Sequence, residues 1–147
     1  MKEKYLATYM NVAKLFAEHS SAKRLQVGAV IARDDRILSV GYNGMPSGWD
    51  NECETVIQGE DDSVYLKTKP EVLHAEANAI CKLARSNESG ENAYLFLTHA
   101  PCIECAKMIY ASGISNVIYD SPYRSTEGID FLRQCKGVKI WKIADSS

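Results

Sequence analysis

The chain has 147 residues, 46% of them hydrophobic, which is enough to bury roughly two-thirds of its unfolded surface around one core, so a single domain over 1–147 is expected. A formal net charge of −2, with no basic run longer than Lys23-Arg24, excludes the broad footprint of a protein that grips polymeric nucleic acid, yet leaves room for a small anion held by one or two cations. No stretch approaches the roughly 20 apolar residues of a membrane helix and no signal-peptide core follows Met1, so a cytoplasmic protein, in a host cell's cytoplasm if the source is viral, is expected.

Leu6, Met10, Ala13 and Ala17 recur at helical spacing without Gly or Pro, which predicts a first helix from about Lys4 to Glu18. Two β-rich runs follow, Val27 to Ala32 and Ile37 to Tyr42, and Arg33-Asp34-Asp35-Arg36 between them reads as a hairpin turn. Gly41-Tyr42-Asn43-Gly44-Met45-Pro46-Ser47-Gly48 concentrates turn formers, and a polar stretch continues to Pro70. A loop that long exceeds what a compact domain needs and points to a functional role. Glu71 to Ser86 carries Leu73, Ala77, Ile80 and Ala84 on one face and reads as a helix. Ala93 to Thr98 is an apolar run suited to a strand covered on both faces. Pro101 is expected to open a helix that closes at Gly113. Asn116 to Tyr119, Glu127 to Cys135 and Val138 to Ile143 complete a strand, a helix and a strand. This order predicts an α/β fold, a three-layer α/β/α sandwich on a mixed five-stranded sheet with an N-terminal antiparallel hairpin and parallel later strands.

Five cysteines in no secreted-domain pattern read as free thiols or metal ligands. Cys53, Cys81 and Cys135 share no motif and behave as small buried hydrophobes on this reading. His74-Ala75-Glu76 and Pro101-Cys102-Ile103-Glu104-Cys105 supply three ligands of the kind zinc prefers and one carboxylate. Three protein ligands leave a fourth position open for water, as catalytic zinc requires. Thiolates at a helix start are favoured by its dipole and free N–H groups. His74 and Glu76, two apart, diverge and cannot both sit on one ion, so the histidine binds and the carboxylate works beside it. Water on zinc has its pKa lowered toward about 7, and a neighbouring carboxylate can accept its proton and pass it to a substrate nitrogen. Either half of the pattern alone is weak: a lone Cys-x-x-Cys serves equally in a redox pair or a structural zinc site.

His-x-Glu followed by Pro-Cys-x-x-Cys resembles the signature of the zinc-dependent nucleotide and nucleobase deaminases. Within them the chain is similar to the deoxycytidylate deaminases from Val27 to Val138, through Val27-Gly28-Ala29-Val30, the Gly41 to Gly48 loop and His74 to Ile80. The resemblance implies a cytidine deaminase-like fold and hydrolysis of dCMP to dUMP and ammonia, the supply route to dTMP. It implies one Zn2+ per chain on His74, Cys102 and Cys105, with Glu76 as the acid/base. The backbone N–H of Ala75 would face the base, Asn43 the sugar, and His99-Ala100 the leaving amine. Arg24, Tyr123 and Arg124 are candidates for the 5′-phosphate, since a guanidinium matches phosphate in bidentate fashion. The same resemblance implies a homo-oligomer, a hexamer, activated by dCTP and inhibited by dTTP at a site including Tyr42, Asn43 and Gly44, with Mg2+ accompanying an effector triphosphate. Some relatives hold a second, structural zinc with cysteines that would fall at Ala22 and Glu52; neither position is cysteine here. Other readings are deamination of dCTP, cytidine, deoxycytidine or a tRNA adenosine, a structural-zinc module, and a redox protein. No membrane or polymeric nucleic-acid partner is expected.

Overall fold

A computed structural model describes residues 1–144. Helix α1 (Glu3–Ala17) leads into the hairpin β1 (Gly28–Arg33) and β2 (Arg36–Tyr42), turned through Asp34 at φ 53. A second hairpin follows, β3 (Glu54–Gln58) and β4 (Val64–Thr68), then α2 (Ala75–Ala84), β5 (Tyr94–His99), α3 (Ile103–Ala111), β6 (Asn116–Ser121), α4 (Glu127–Gln134) and β7 (Lys139–Lys142). Five strands form one sheet in the order β2-β1-β5-β6-β7. β1 is antiparallel to both neighbours, whereas β5, β6 and β7 run parallel.

Because side chains alternate across a strand, the central strands feed two cores. Ala29, Ile31, Leu95, Leu97 and Val117 pack with Ala75, Ala79, Ala106 and Ile109 of α2 and α3. Val30, Ala32, Phe96 and Ile118 face the other way, against Tyr9, Met10 and Ala13 of α1. Tyr9 meets Phe96 edge-on at 5.4 Å. The expected three-layer arrangement with parallel later strands is the one observed. Among the described residues no helix is long and apolar enough to cross a membrane.

Cys53 is buried as expected and Cys135 partly so, but Cys81 is exposed on α2 rather than buried. Three further expectations need correction. The stretch from Asp50 to Pro70 is no plain loop: Glu54–Gln58 and Val64–Thr68 pair antiparallel as a separate two-stranded sheet. It lies outside the main sheet, and Val56, Val64 and Tyr65 are exposed, so the burial that makes a strand easy to read is missing. The second helix begins at Ala75 rather than Glu71, because Leu73 exchanges backbone hydrogen bonds with Gly44 (3.1 and 2.8 Å) and is held extended. Pro101 does not open α3; it precedes the N-cap, Cys102. Helix α2 lies unusually close to the sheet: a Cβ on Gly41 would fall 2.4 Å from the carbonyl oxygen of Ala75, so only glycine admits this approach. The Ser39 hydroxyl donates to the Ala79 carbonyl at 2.7 Å across the same contact, and Asn78 and Lys82 donate to the Tyr42 and Val40 carbonyls of the edge strand.

Candidate active site

His74 and Cys102 occupy equivalent positions, the N-caps of α2 and α3. Each is extended (ψ 154° and 169°) and each carbonyl accepts the first intrahelical bond, from Asn78 and Ala106. Ser, Thr, Asp or Asn at such a position would cap the helix and add about 1 kcal/mol. Neither His74 nor Cys102 makes a side-chain cap. The two caps are given to ligand chemistry, and both helix N-termini, with their positive dipole ends, converge on one point. Cys105, one turn into α3, completes the set.

The His74 imidazole Nδ1 lies 3.3 Å from the Cys105 sulfur and 3.7 Å from the Cys102 sulfur, and all three donor atoms fall within 4.8 Å of one another. A tetrahedral zinc with Zn–S of about 2.3 Å and Zn–N of about 2.0 Å separates such donors by about 3.5–3.8 Å. The donor set and its spacing therefore fit that ion. A hydrogen bond from Cys105, another from His74 and the neighbouring imidazole charge draw the Cys102 thiol down to about 4. The same bond to Cys102 raises His74 and, with burial and the nearby Glu76, raises Cys105. Of the two thiols, Cys102 is the one whose surroundings favour the thiolate.

Glu76 follows in the first turn of α2. It is 5% exposed, and burial pushes its carboxyl up to about 7, against the opposing attraction of His74. A carboxyl poised near neutrality both accepts and returns a proton efficiently. The Thr98 hydroxyl accepts from the Gly28 amide (3.0 Å) and shares a hydrogen bond with His99 Nδ1 at 3.0 Å. Burial lowers the His99 pKa and favours the neutral ring.

His74, Cys102 and Glu76 line a cavity of about 680 Å³, the size of a small-molecule site. Asn43, Ala75, Arg24, Tyr123 and Arg124 line it too, together with His99 and Ala100. The Asn43 amide oxygen accepts from the Val27 N–H at 2.9 Å and its nitrogen donates to Leu25 at 2.8 Å, which leaves one N–H free. The Arg124 guanidinium stacks 5.6 Å over Tyr123. Tyr42 and Gly44 are not on the cavity wall; the exposed Tyr42 ring faces His19 at 5.8 Å and Gly44 pairs with Leu73. Ala22 packs into a small apolar cluster with Cys53 and Val72.

Two contributors escaped the sequence reading. Lys69, just past β4, also lines the cavity, making Lys69, Arg24 and Arg124 three cations on the wall of an overall acidic chain. Gly128, in the first turn of α4, presses on the Pro101-Cys102 turn: a Cβ there would lie 2.1 Å from the Pro101 carbonyl oxygen. Only the glycine itself could have signalled that contact, and a glycine in a helix has many causes.

The family model of the cytidine and deoxycytidylate deaminase zinc-binding region matches residues 3–121. The chain belongs to that deaminase family. Its fold superposes on the dCMP deaminase of cyanophage S-TIM5, solved with dCMP and dUMP, with a TM-score of 0.86 and 45% identity over 97% of this chain and 99% of that one. It is 30% identical over 171 aligned positions to the deoxycytidylate deaminase of Enterobacteria phage T4, covering 93% of this chain and 89% of that protein. The deoxycytidylate deaminase of Mycobacterium phage D29 is 36% identical over 76% of this chain and 90% of its own length.

Proposed function

We propose that the chain hydrolyses dCMP to dUMP and ammonia, supplying dUMP for dTMP synthesis. One observation carries this reading: a single cavity is lined by His74, Cys102 and Glu76, the first two grouped with Cys105 as a three-donor set, and also by Arg24, Lys69 and Arg124. Likeness to a cyanophage dCMP deaminase solved with dCMP and dUMP supports the same substrate.

His74, Cys102 and Cys105 would hold one zinc ion per chain, and zinc there supplies the acidified water that hydrolysis needs. Glu76, its carboxyl raised by burial, takes the proton from the attacking water and delivers it to N3 of cytosine. The water oxygen bonds to C4, and the hydroxyl proton of that adduct then passes through the same carboxyl to the C4 amine, so that the C–N bond breaks, ammonia leaves and C4 becomes a carbonyl. The Ala75 N–H at the uncapped start of α2 faces the base, while the free N–H of Asn43 reaches the sugar. His99 and Ala100 line the leaving-group side. Arg24 and Arg124, with Tyr123 stacked beneath the latter, receive the 5′-phosphate. On this reading the chain acts as one cytoplasmic deaminase domain within a homohexamer. dCTP activates it and dTTP inhibits it around Tyr42, Asn43 and Gly44, with Mg2+ on the effector triphosphate.

The test is a substrate panel. Purified protein is incubated with dCMP, dCTP, cytidine and deoxycytidine, with and without added effectors, and cytosine absorbance is followed alongside zinc content. dCMP turns over with the highest kcat/KM and zinc is found at one per chain. A preference for cytidine or dCTP, or two zinc ions per chain, overturns the corresponding part of the reading.

A further inference from the structure

Arg24 is gripped from both its backbone and its side chain by one cross-strand pair of the β3–β4 hairpin. Glu54 and Thr68 are directly opposite each other in the hairpin register. The Glu54 carboxylate accepts the backbone N–H of Lys23 at 2.9 and 3.1 Å and that of Arg24 at 3.3 Å. The Thr68 hydroxyl accepts from Arg24 Nη1 at 3.2 Å. Behind the pair, the Lys69 amide donates to the Cys53 carbonyl at 2.8 Å, and Ala22 packs on Cys53 and Val72. Residues 22 to 24 are therefore tied to the hairpin three ways.

The division of partners has a consequence. A carboxylate placed on the guanidinium would neutralise it and compete with any anionic ligand. Here the carboxylate is spent on backbone amides, and the guanidinium receives a neutral hydroxyl, which fixes its direction and leaves its charge and remaining donors to the cavity. Lys69, the residue after Thr68, brings a second cation to the same rim.

We propose that Glu54 and Thr68 are positioning residues that aim Arg24 at the 5′-phosphate, making the β3–β4 hairpin the element that selects nucleotide over nucleoside. The proposal rests on the assignment of Arg24 to the phosphate. Inhibition constants for dUMP and deoxyuridine, which share base and sugar and differ in the phosphate, separate this role from a structural one. With Thr68→Val and Glu54→Ala the Ki for dUMP rises about tenfold, while the ratio of dUMP to deoxyuridine affinity falls by the same factor. Thr68→Ser restores the wild-type ratio, because it restores the hydroxyl. A proportional loss of both affinities in Thr68→Val shows a structural role only and overturns the proposal. Arg24→Ala serves as the reference. If it abolishes the dUMP preference while Thr68→Val leaves it intact, positioning is refuted and the phosphate assignment stands. If Arg24→Ala leaves the preference intact, that assignment fails and the proposal with it.

Discussion

At the metal end of the cavity, His74, Cys102 and Cys105 stand at the starts of two helices whose inner faces are fully buried against the central sheet. At the other end, Arg24 is held by a hairpin that lies outside that sheet and leaves Val56 65% and Val64 67% exposed. The first wall is fixed by core packing and sacrifices two helix caps to chemistry. The second is fixed by hydrogen bonds to one carboxylate and one hydroxyl and by a small apolar cluster of Ala22, Cys53 and Val72. Rigid placement is what bond rearrangement needs, since small misplacements there cost large factors in rate.

The contrast can be broken or sharpened by experiment. Stripping metal with a chelator is expected to bring dCMP turnover to background, with recovery on adding zinc; turnover that persists at verified zero zinc contradicts the assignment of the metal end. Gly128→Ala, which forces the Cys102 turn away from α4, is expected to weaken zinc binding about 10–100-fold, as other changes behind a ligand do. Competition against a chelator measures it, and wild-type affinity would mean that α4 does not hold the turn.

A third experiment concerns the stability cost of Glu76. Its folded pKa, about 7, lies above the ordinary 4.5, so the folded metal-free protein favours the protonated carboxyl. That contribution is present in full below about pH 4.5 and is lost as pH rises through 7. Glu76→Gln, neutral throughout, should therefore match wild type near pH 4.5 and exceed it by about 2–3 kcal/mol near pH 8 in metal-free protein. Denaturant melts at the two pH values decide it, and an equal difference at both would remove the burial argument. Val56→Ser on the exposed hairpin face is expected to change stability by no more than about 0.5 kcal/mol. A loss several times larger would show that the hairpin wall is packed as firmly as the metal wall.

The two walls also differed in how far the sequence revealed them. His74, Glu76, Cys102 and Cys105 were legible because metal chemistry demands particular residue types at particular spacings. The apolar run from Ala93 to Thr98 likewise read as a strand covered on both faces, and Phe96 and Leu97 are indeed buried in the two opposite cores. Helix starts were misplaced because Glu71 to Leu73 continues the periodicity of α2, and only the pairing of Leu73 with Gly44 stops it. The β3–β4 hairpin was passed over because its two strands alternate against solvent rather than a core. Glu54 carries no motif at all. Its meaning depends on Lys23 and Arg24 arriving beside it from some 30 residues away, which only the fold arranges.

The most direct test of the account is Glu76→Gln assayed for zinc and for dCMP turnover in one preparation. The buried carboxyl is assigned the proton and no metal bond, so the variant should keep one zinc per chain while turnover falls by about two to four orders of magnitude. Near-normal turnover, or loss of zinc in proportion to activity, would contradict it.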